Sequence, residues 1–317
     1  MTDNNLYTLF ESRFPADLTQ TAFEGPEVPT VSFGDLREKS AQMANLLTAL
    51  GAVAGDRVAV QTGKSVEAVI LYLACLRAGL VYLPLNTAYK AAEIEYFLGD
   101  ATPAIVVCDP ASLTEIEAIA GKCGVKEVLT LDAAGRGSLT ERADQQDSDF
   151  KTVARTGDDL AAILYTSGTT GRSKGAMLTH DNLASNARTL HKHWGFTEGD
   201  VLLHALPIFH VHGLFVALHC ALLNGSKVIF LTKFDPAVII ANLPKATVFM
   251  GVPTFYVRLL AETAFTKDVC RNMRLFTAGS APLLEETFNA FEERTGHVIL
   301  ERYGMTEAGM ITSNPYD

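Results

Sequence analysis

Arg57-Val58-Ala59-Val60-Gln61, then Ser65, an apolar run from Val66 to Ala78, and Gly79 form the stretch that sets the fold class. The first five residues predict a short buried strand. Ser65 is placed to cap a helix running to Ala78, and Gly79 is placed to close it. Upstream, Asp35 to Leu50 carries Leu36, Met43, Leu46, Leu47 and Leu50 at helical spacing, with Gly51 as the stop. Downstream, Ala104–Cys108 and Glu127–Leu131 predict strands, separated by a helix near Ser112–Ala120. After a Gly-, Asp-, Ser- and Gln-rich connection over 134–156, a second block predicts strands at Leu160–Tyr165, Val201–Leu206, Lys227–Leu231, Thr247–Met250, Leu275–Thr277 and Val298–Glu301. Strands alternating with helices imply βαβ units. The expected fold is α/β: two packed αβαβα-type subdomains with mainly parallel sheets, spanning 1–157 and 158–317.

The composition excludes several classes. Of 317 residues, 48% are apolar and 20% charged, the mix of a globular chain and not a disordered one. Lys and Arg number 26 and Asp and Glu 36, a net charge of −10, so no broad basic footprint for nucleic acid exists. Anionic substrates would have to be met by a few local cations. Cys75, Cys108, Cys123, Cys220 and Cys270 lack metal-ligand spacing and read as reduced thiols in a cytoplasmic protein. The start of the chain has no targeting character, and the apolar run Leu214–Leu223 is too short to span a bilayer. The ending Ser313-Asn314-Pro315-Tyr316-Asp317 reads as a turn directly after a motif-like stretch, which predicts that the chain is a fragment.

Four stretches could carry chemistry. Tyr165-Thr166-Ser167-Gly168-Thr169-Thr170-Gly171-Arg172-Ser173-Lys174-Gly175 follows a predicted strand and concentrates glycines, hydroxyls and two cations. Such a loop suits a phosphate: glycine lets backbone N–H groups approach, hydroxyls donate, and the cations add charge. A plain Gly/Ser hairpin loop is the competing reading. It is not the P-loop of kinases, because the Gly-Lys-Ser/Thr ending is lacking and Ala176-Met177-Leu178 reads as a strand. Glu301-Arg302-Tyr303-Gly304-Met305-Thr306-Glu307 presents an aromatic, a hydroxyl and a carboxylate at a strand exit. Phe276-Thr277-Ala278-Gly279-Ser280-Ala281-Pro282 reads as a strand, a small-residue turn and Pro at a helix start. Pro207-Ile208-Phe209-His210-Val211-His212-Gly213 invites a zinc reading, but no further ligand lies at a supporting spacing.

Taken in order, these four motifs resemble the acyl-adenylate-forming superfamily of acyl-CoA synthetases, luciferases and adenylation domains. Within it, the wording Gly251-Val252-Pro253-Thr254-Phe255-Tyr256-Val257-Arg258-Leu259-Leu260, Met273-Arg274-Leu275-Phe276 and Thr312-Ser313-Asn314-Pro315-Tyr316 is similar to bacterial malonyl-CoA synthetases. The resemblance covers essentially the whole chain but only about the first two thirds of such an enzyme. It implies that a barrel-like subdomain and a mobile lid are missing from this sequence. It further implies a magnesium-dependent reaction of ATP with malonate or methylmalonate, giving an acyl-AMP that coenzyme A then captures. Alternatives are a non-catalytic nucleotide-binding fragment and an enzyme that loads another short acid or a carrier protein. Neither a membrane nor a nucleic acid is an implied partner.

Carried residue by residue, the resemblance assigns Thr166, Ser167, Gly168, Thr169, Thr170 and Lys174 to the ATP phosphates. Thr166 and Glu307 would lie near Mg2+. Gly279, Ser280, Ala281, Tyr303, Gly304 and Met305 would frame the nucleotide, with Thr306 on phosphate. His210 would stand beside the carboxylate being activated. Ala308 is a departure, since relatives more often carry Thr there, and it bears on acyl preference. Malonate brings a second carboxylate, which a chain of net charge −10 must meet with a dedicated cation. Arg258, next to Leu259 on a predicted helix, is the first candidate. Arg274, at the start of a strand, is the second.

Overall fold

The structure is a computed structural model, and it describes residues 3–166 and 172–316. Fourteen strands are present among them. They are β1 (Thr21–Gly25), β2 (Val28–Ser32), β3 (Arg57–Gln61), β4 (Val81–Pro84), β5 (Ile105–Cys108), β6 (Glu127–Thr130) and β7 (Leu160–Thr166). The chain continues through β8 (Lys174–Thr179), β9 (Val201–His204), β10 (Lys227–Phe230), β11 (Val248–Gly251), β12 (Leu275–Ala278), β13 (Ile299–Met305) and β14 (Gly309–Ser313).

The chain divides into two compact units, each built on one sheet. The first takes residues 1–12 and 32–184, the second 13–31 and 185–317. The boundary thus differs from 157/158. The reason is that β7 and β8 form an antiparallel hairpin whose first strand pairs with β4, so both complete the first sheet. Residues 13–31 join the second unit because β1 pairs in parallel with β10.

In the first unit the strand order is β6-β5-β3-β4-β7-β8, parallel except at the β7–β8 hairpin. The expected punctuation operates. The Ser65 side chain accepts from the Ala68 amide and caps the helix Val66–Arg77, which is buried on every face. Gly51 and Gly79 have φ of +92° and +70°, conformations that a residue without Cβ adopts freely. Ser32 and Asp35 form a reciprocal capping box at the start of Phe33–Ala49. The stretch 134–156 is not all connection, since Ser138–Ala143 is a short helix.

In the second unit the order is β14-β13-β12-β11-β9-β10-β1-β2. Pairs from β13 to β1 are parallel, and β14 folds back antiparallel on β13. Strand β13 changes partner along its length: Ile299–Glu301 pair with β12, and Arg302–Met305 pair with β14. Below the carboxyl ends of the strands lies an aromatic core in which Phe249, Tyr256, Phe276 and Phe291 meet edge to face. Pro282 does not open a helix; the helix begins at Glu285, with Leu284 at its N-cap.

Candidate active site

Two cavities sit at the carboxyl edge of the second sheet, where ligands bind in open α/β sheets. The first, about 420 Å3, is lined by residues that follow β9 (Leu206, Pro207, His210, His212), by Val252 after β11 and by Ser280 after β12. Arg302, Gly304, Met305, Thr306 and Met310 complete it from the β13–β14 hairpin. The second, about 490 Å3, is lined by Ser280, Ala281, Pro282, Tyr303, Gly304 and Asn314, among others.

The parity of β13 builds this edge. Leu300 and Arg302 are buried on one face, while Glu301 and Tyr303 are exposed on the other, before a bulge between Tyr303 and Gly304 interrupts the alternation. Tyr303 is 60% exposed, an aromatic ring beside the second cavity. Arg302 is only 6% exposed. Its Nη1 lies 3.0 Å from the Met310 sulfur, and its Nη2 donates to Nε2 of His212. Its Nε has no acceptor among the described residues. No carboxylate among them pairs with this guanidinium, and burial draws its pKa down to about 10. A buried, uncompensated cation at a cavity wall is costly and calls for an anion.

The neighbours of Arg302 are fitted to it. A Cβ at Gly279 would collide with the guanidinium, so glycine there makes room for the charge. Ser280 has φ of +70°, a left-handed backbone rare for a side chain with Cβ and a form of strain that clusters at binding sites. His212 is 5% exposed and opens a π-helix, His212–Leu218. Its Nδ1 lies 3.3 Å from Ser280 Oγ. Burial, then the Arg302 charge, holds the His212 pKa well below its ordinary value. His210 is exposed at the rim, against Phe209, and partial desolvation lowers its pKa. The hairpin wall is tied down by Asn186, whose side chain both donates to the Met310 carbonyl and accepts from its amide.

The structure thus brings together His210, Ser280, Gly304, Met305 and Thr306 at one cavity, and Ser280, Ala281, Tyr303 and Gly304 at the other. Glu307 is exposed in the turn between β13 and β14, and Ala308 lies in that turn without lining either cavity. In the first unit, Thr166 and Lys174 are paired residues closing the β7–β8 hairpin, with Lys174 exposed. Tyr96 braces that hairpin by donating to the Ser173 carbonyl at 2.8 Å. Ser167, Gly168, Thr169 and Thr170 lie outside the described residues.

Neither arginine singled out for the second carboxylate lines either of these two cavities. The helix Pro253–Leu260 buries Tyr256 and Leu259, and this phase turns Arg258 outward, where it stacks on Phe234 at 4.6 Å. Arg274 is engaged by Asp200, with Nε donating to Oδ1 at 2.7 Å. The cavity cation is Arg302, a residue inside a motif already quoted. The signal for it was strand alternation: it shares the inward parity of Leu300.

The model of the family described as AMP-binding enzyme matches residues 12–317. Among solved structures, MatB from Rhodopseudomonas palustris, in apo and ATP-bound crystals, superposes with a TM-score of 0.96 at 54% identity. That likeness covers all of this chain and 62% of MatB. The mitochondrial malonate–CoA ligase ACSF3 of Mus musculus is 36% identical over 284 residues, 84% of this chain and 48% of the relative. The malonate–CoA ligase of Arabidopsis thaliana is 35% identical over 84% of this chain and 47% of the relative. The chain therefore spans about half the length of these curated relatives. With the family model covering residues 12–317, nearly the whole length, the chain belongs to the AMP-binding enzyme family.

Proposed function

We propose that the protein activates malonate: the acid and ATP give malonyl-AMP and pyrophosphate, and the thiol of coenzyme A then displaces AMP to give malonyl-CoA. One observation carries the substrate. Arg302 is a buried guanidinium with no carboxylate partner among the described residues, at the wall of a cavity large enough for a small acid. A dicarboxylate supplies one carboxylate to Arg302 and leaves the other for reaction. Guanidinium is suited to this, since it stays charged and offers parallel donors. The family and the malonate–CoA ligase relatives support the same reading, as does the ATP-bound state of MatB.

His210 at the rim, kept toward its neutral form, stands where the reacting carboxylate enters. Tyr303, Gly304 and Ala281 line the cavity assigned to the adenine, and Thr166 to Lys174 the loop assigned to the phosphates. Glu307 is a single exposed carboxylate in the β13–β14 turn. This fits magnesium, which keeps several waters and takes one or two carboxylates together with phosphate oxygens. When bound, the ion neutralises charge on the phosphates. The protein's share is to bind and align the two anions, which uncatalysed meet rarely and repel. The five cysteines are free, in keeping with a reducing, cytoplasmic setting.

The test is ATP–pyrophosphate exchange by the complete gene product with malonate, methylmalonate, acetate and propionate. Malonate should be preferred. Arg302→Met should lose malonate activity by about a hundredfold or more, the effect of breaking a buried charge pair, with propionate changed far less. Equal use of malonate and propionate by the unaltered protein overturns the reading.

A further inference from the structure

We propose that His212 is a positioning residue of the acid site, a neutral imidazole with its proton on Nδ1 that couples Arg302 to Ser280 and turns the Ser280 hydroxyl into a donor toward the bound acid. The inference rests on the reading of the cavity as the seat of malonate. It follows from hydrogen-bond inventory. Guanidinium nitrogens only donate, so the His212 nitrogen facing Arg302, Nε2, must be the bare acceptor. A neutral ring with Nε2 bare carries its proton on Nδ1, and that nitrogen faces Ser280 Oγ at 3.3 Å. The hydroxyl oxygen is then occupied as an acceptor, and its own proton is directed elsewhere. Ser280 and Arg302 line both cavities, and on the side of the first the next acceptor is an oxygen of the bound acid.

Three further features fit this arrangement. Burial and the neighbouring guanidinium keep the ring uncharged, since a second cation there would repel the first. The other titratable group facing the ring from the β9 side is His204, whose Nε2 lies 3.0 Å from the Gly213 carbonyl, and whose ring, with that of His210, also disfavours a charge on His212. Ser280, just after β12, has a left-handed backbone, and its Oγ lies 3.3 Å from His212 Nδ1. His212 lines the cavity too, but both its ring nitrogens are engaged, Nε2 by Arg302 and Nδ1 by Ser280, so its part is to distribute donors.

Two amides each reproduce one half of the ring. Gln at 212 can place an oxygen near the Nε2 position and accept from Arg302, but it offers nothing to Ser280. Asn can place a donor near Nδ1, but it leaves Arg302 without its acceptor. In the complete gene product, His212→Gln should raise the malonate KM about tenfold with little change in kcat, the size of one hydrogen bond to a charged group. Ser280→Ala should do the same. The double variant should be no worse than Ser280→Ala alone, because both remove one donor. His212→Asn should instead erode the preference for malonate over propionate, as a displaced Arg302 would. Multiplying effects of His212→Gln and Ser280→Ala, or an unchanged malonate KM in His212→Gln, would overturn the proposal. Ring nitrogen NMR on histidine-labelled unaltered protein gives an answer independent of any variant's folding. Nδ1 should be protonated and Nε2 bare across neutral pH, and a protonated Nε2 refutes the coupling. Should malonate fail as a substrate, the earlier reading falls, and the same double-variant comparison is made on the acid the panel identifies.

Discussion

Arg274, immediately before β12, and Arg302, in the neighbouring strand β13, sit at opposite edges of one sheet and differ in what they face. At the amino edge, Arg274 meets Asp200, donates to the Trp194 carbonyl at 3.0 Å, and stacks on Phe196 and Tyr316 at 5.5 and 5.2 Å. Burial alone would raise the Asp200 pKa. Hydrogen bonds from Arg274, the Thr197 amide and Thr247 outweigh it and hold the carboxyl below its usual range. That network joins the starts of β9, β11 and β12 and is complete without a ligand. At the carboxyl edge, Arg302 has an imidazole, a thioether and a cavity. A buried charge whose counterion is built in serves the scaffold, whereas one whose counterion is missing marks where a substrate completes the structure.

Exchanging each arginine for methionine separates the two roles. Arg302→Met should leave thermal stability unchanged or slightly raised, since it removes an unpaired buried cation, while malonate turnover falls about a hundredfold. A large loss of stability would return Arg302 to the scaffold. Arg274→Met should do the reverse. It strands Asp200 and costs about 3 kcal/mol, the low end for a buried pair because Arg274 keeps 22% of its side chain in water, and the malonate-to-propionate ratio stays put. Denaturant unfolding together with the exchange assay measures both.

A buried histidine in the first unit sharpens the contrast with His212. His180 accepts from the Leu6 amide at 3.0 Å and so anchors the first helix, Leu6–Glu11. Burial, then Arg155, lowers its pKa to about 4. An unfolded ring takes its proton near 6.5 and the folded ring only near 4, so the unfolded state binds more protons between these values. Stability is therefore full above pH 6.5 and is lost as pH falls toward 4, by up to about 1.4 kcal/mol per pH unit. His180→Asn keeps an acceptor but cannot titrate, and should flatten this slope in urea melts across that window. Gly279→Ala should push Arg302 aside and lower malonate selectivity about tenfold, an overpacking effect seen as a KM change. Smallest of all, Arg258→Met should alter selectivity less than about twofold, the size of an exposed contact.

The fold class was legible because α/β alternation writes itself in local patterns: an apolar pentad, a capping serine, an apolar helix, a glycine. Boundaries were less so. The β7–β8 hairpin reads as the opening of the second block, and only its pairing with β4 assigns it to the first. Strands β1 and β2 are short and join a sheet whose other members begin at residue 201, a long-range choice that local periodicity does not record. The cavity residues His210, Ser280 and Thr306 were readable from their motifs. The cation was not, because choosing among Arg258, Arg274 and Arg302 requires the phase of a helix and the parity of a strand. Both are set by packing: Tyr256 donates to the Thr277 carbonyl at 2.6 Å and so fixes which side of Pro253–Leu260 faces in.

The change of partner along β13 has a consequence for how the site comes apart. Residues 299–301 share the fate of the sheet, since their amides or carbonyls belong to the ladder with β12. Residues 302–305 belong to a two-stranded ribbon with β14, held at Met310 by Asn186 and at Ser313 by the Trp194 indole. Such a ribbon forms its own unit of opening. Native-state amide exchange should therefore show a step between Glu301 and Tyr303, with the ribbon exchanging through a fluctuation that leaves the sheet closed. A filled acid cavity should slow that fluctuation, so that the hinge point at Arg302 reports occupancy as a change in protection one strand in from the sheet edge.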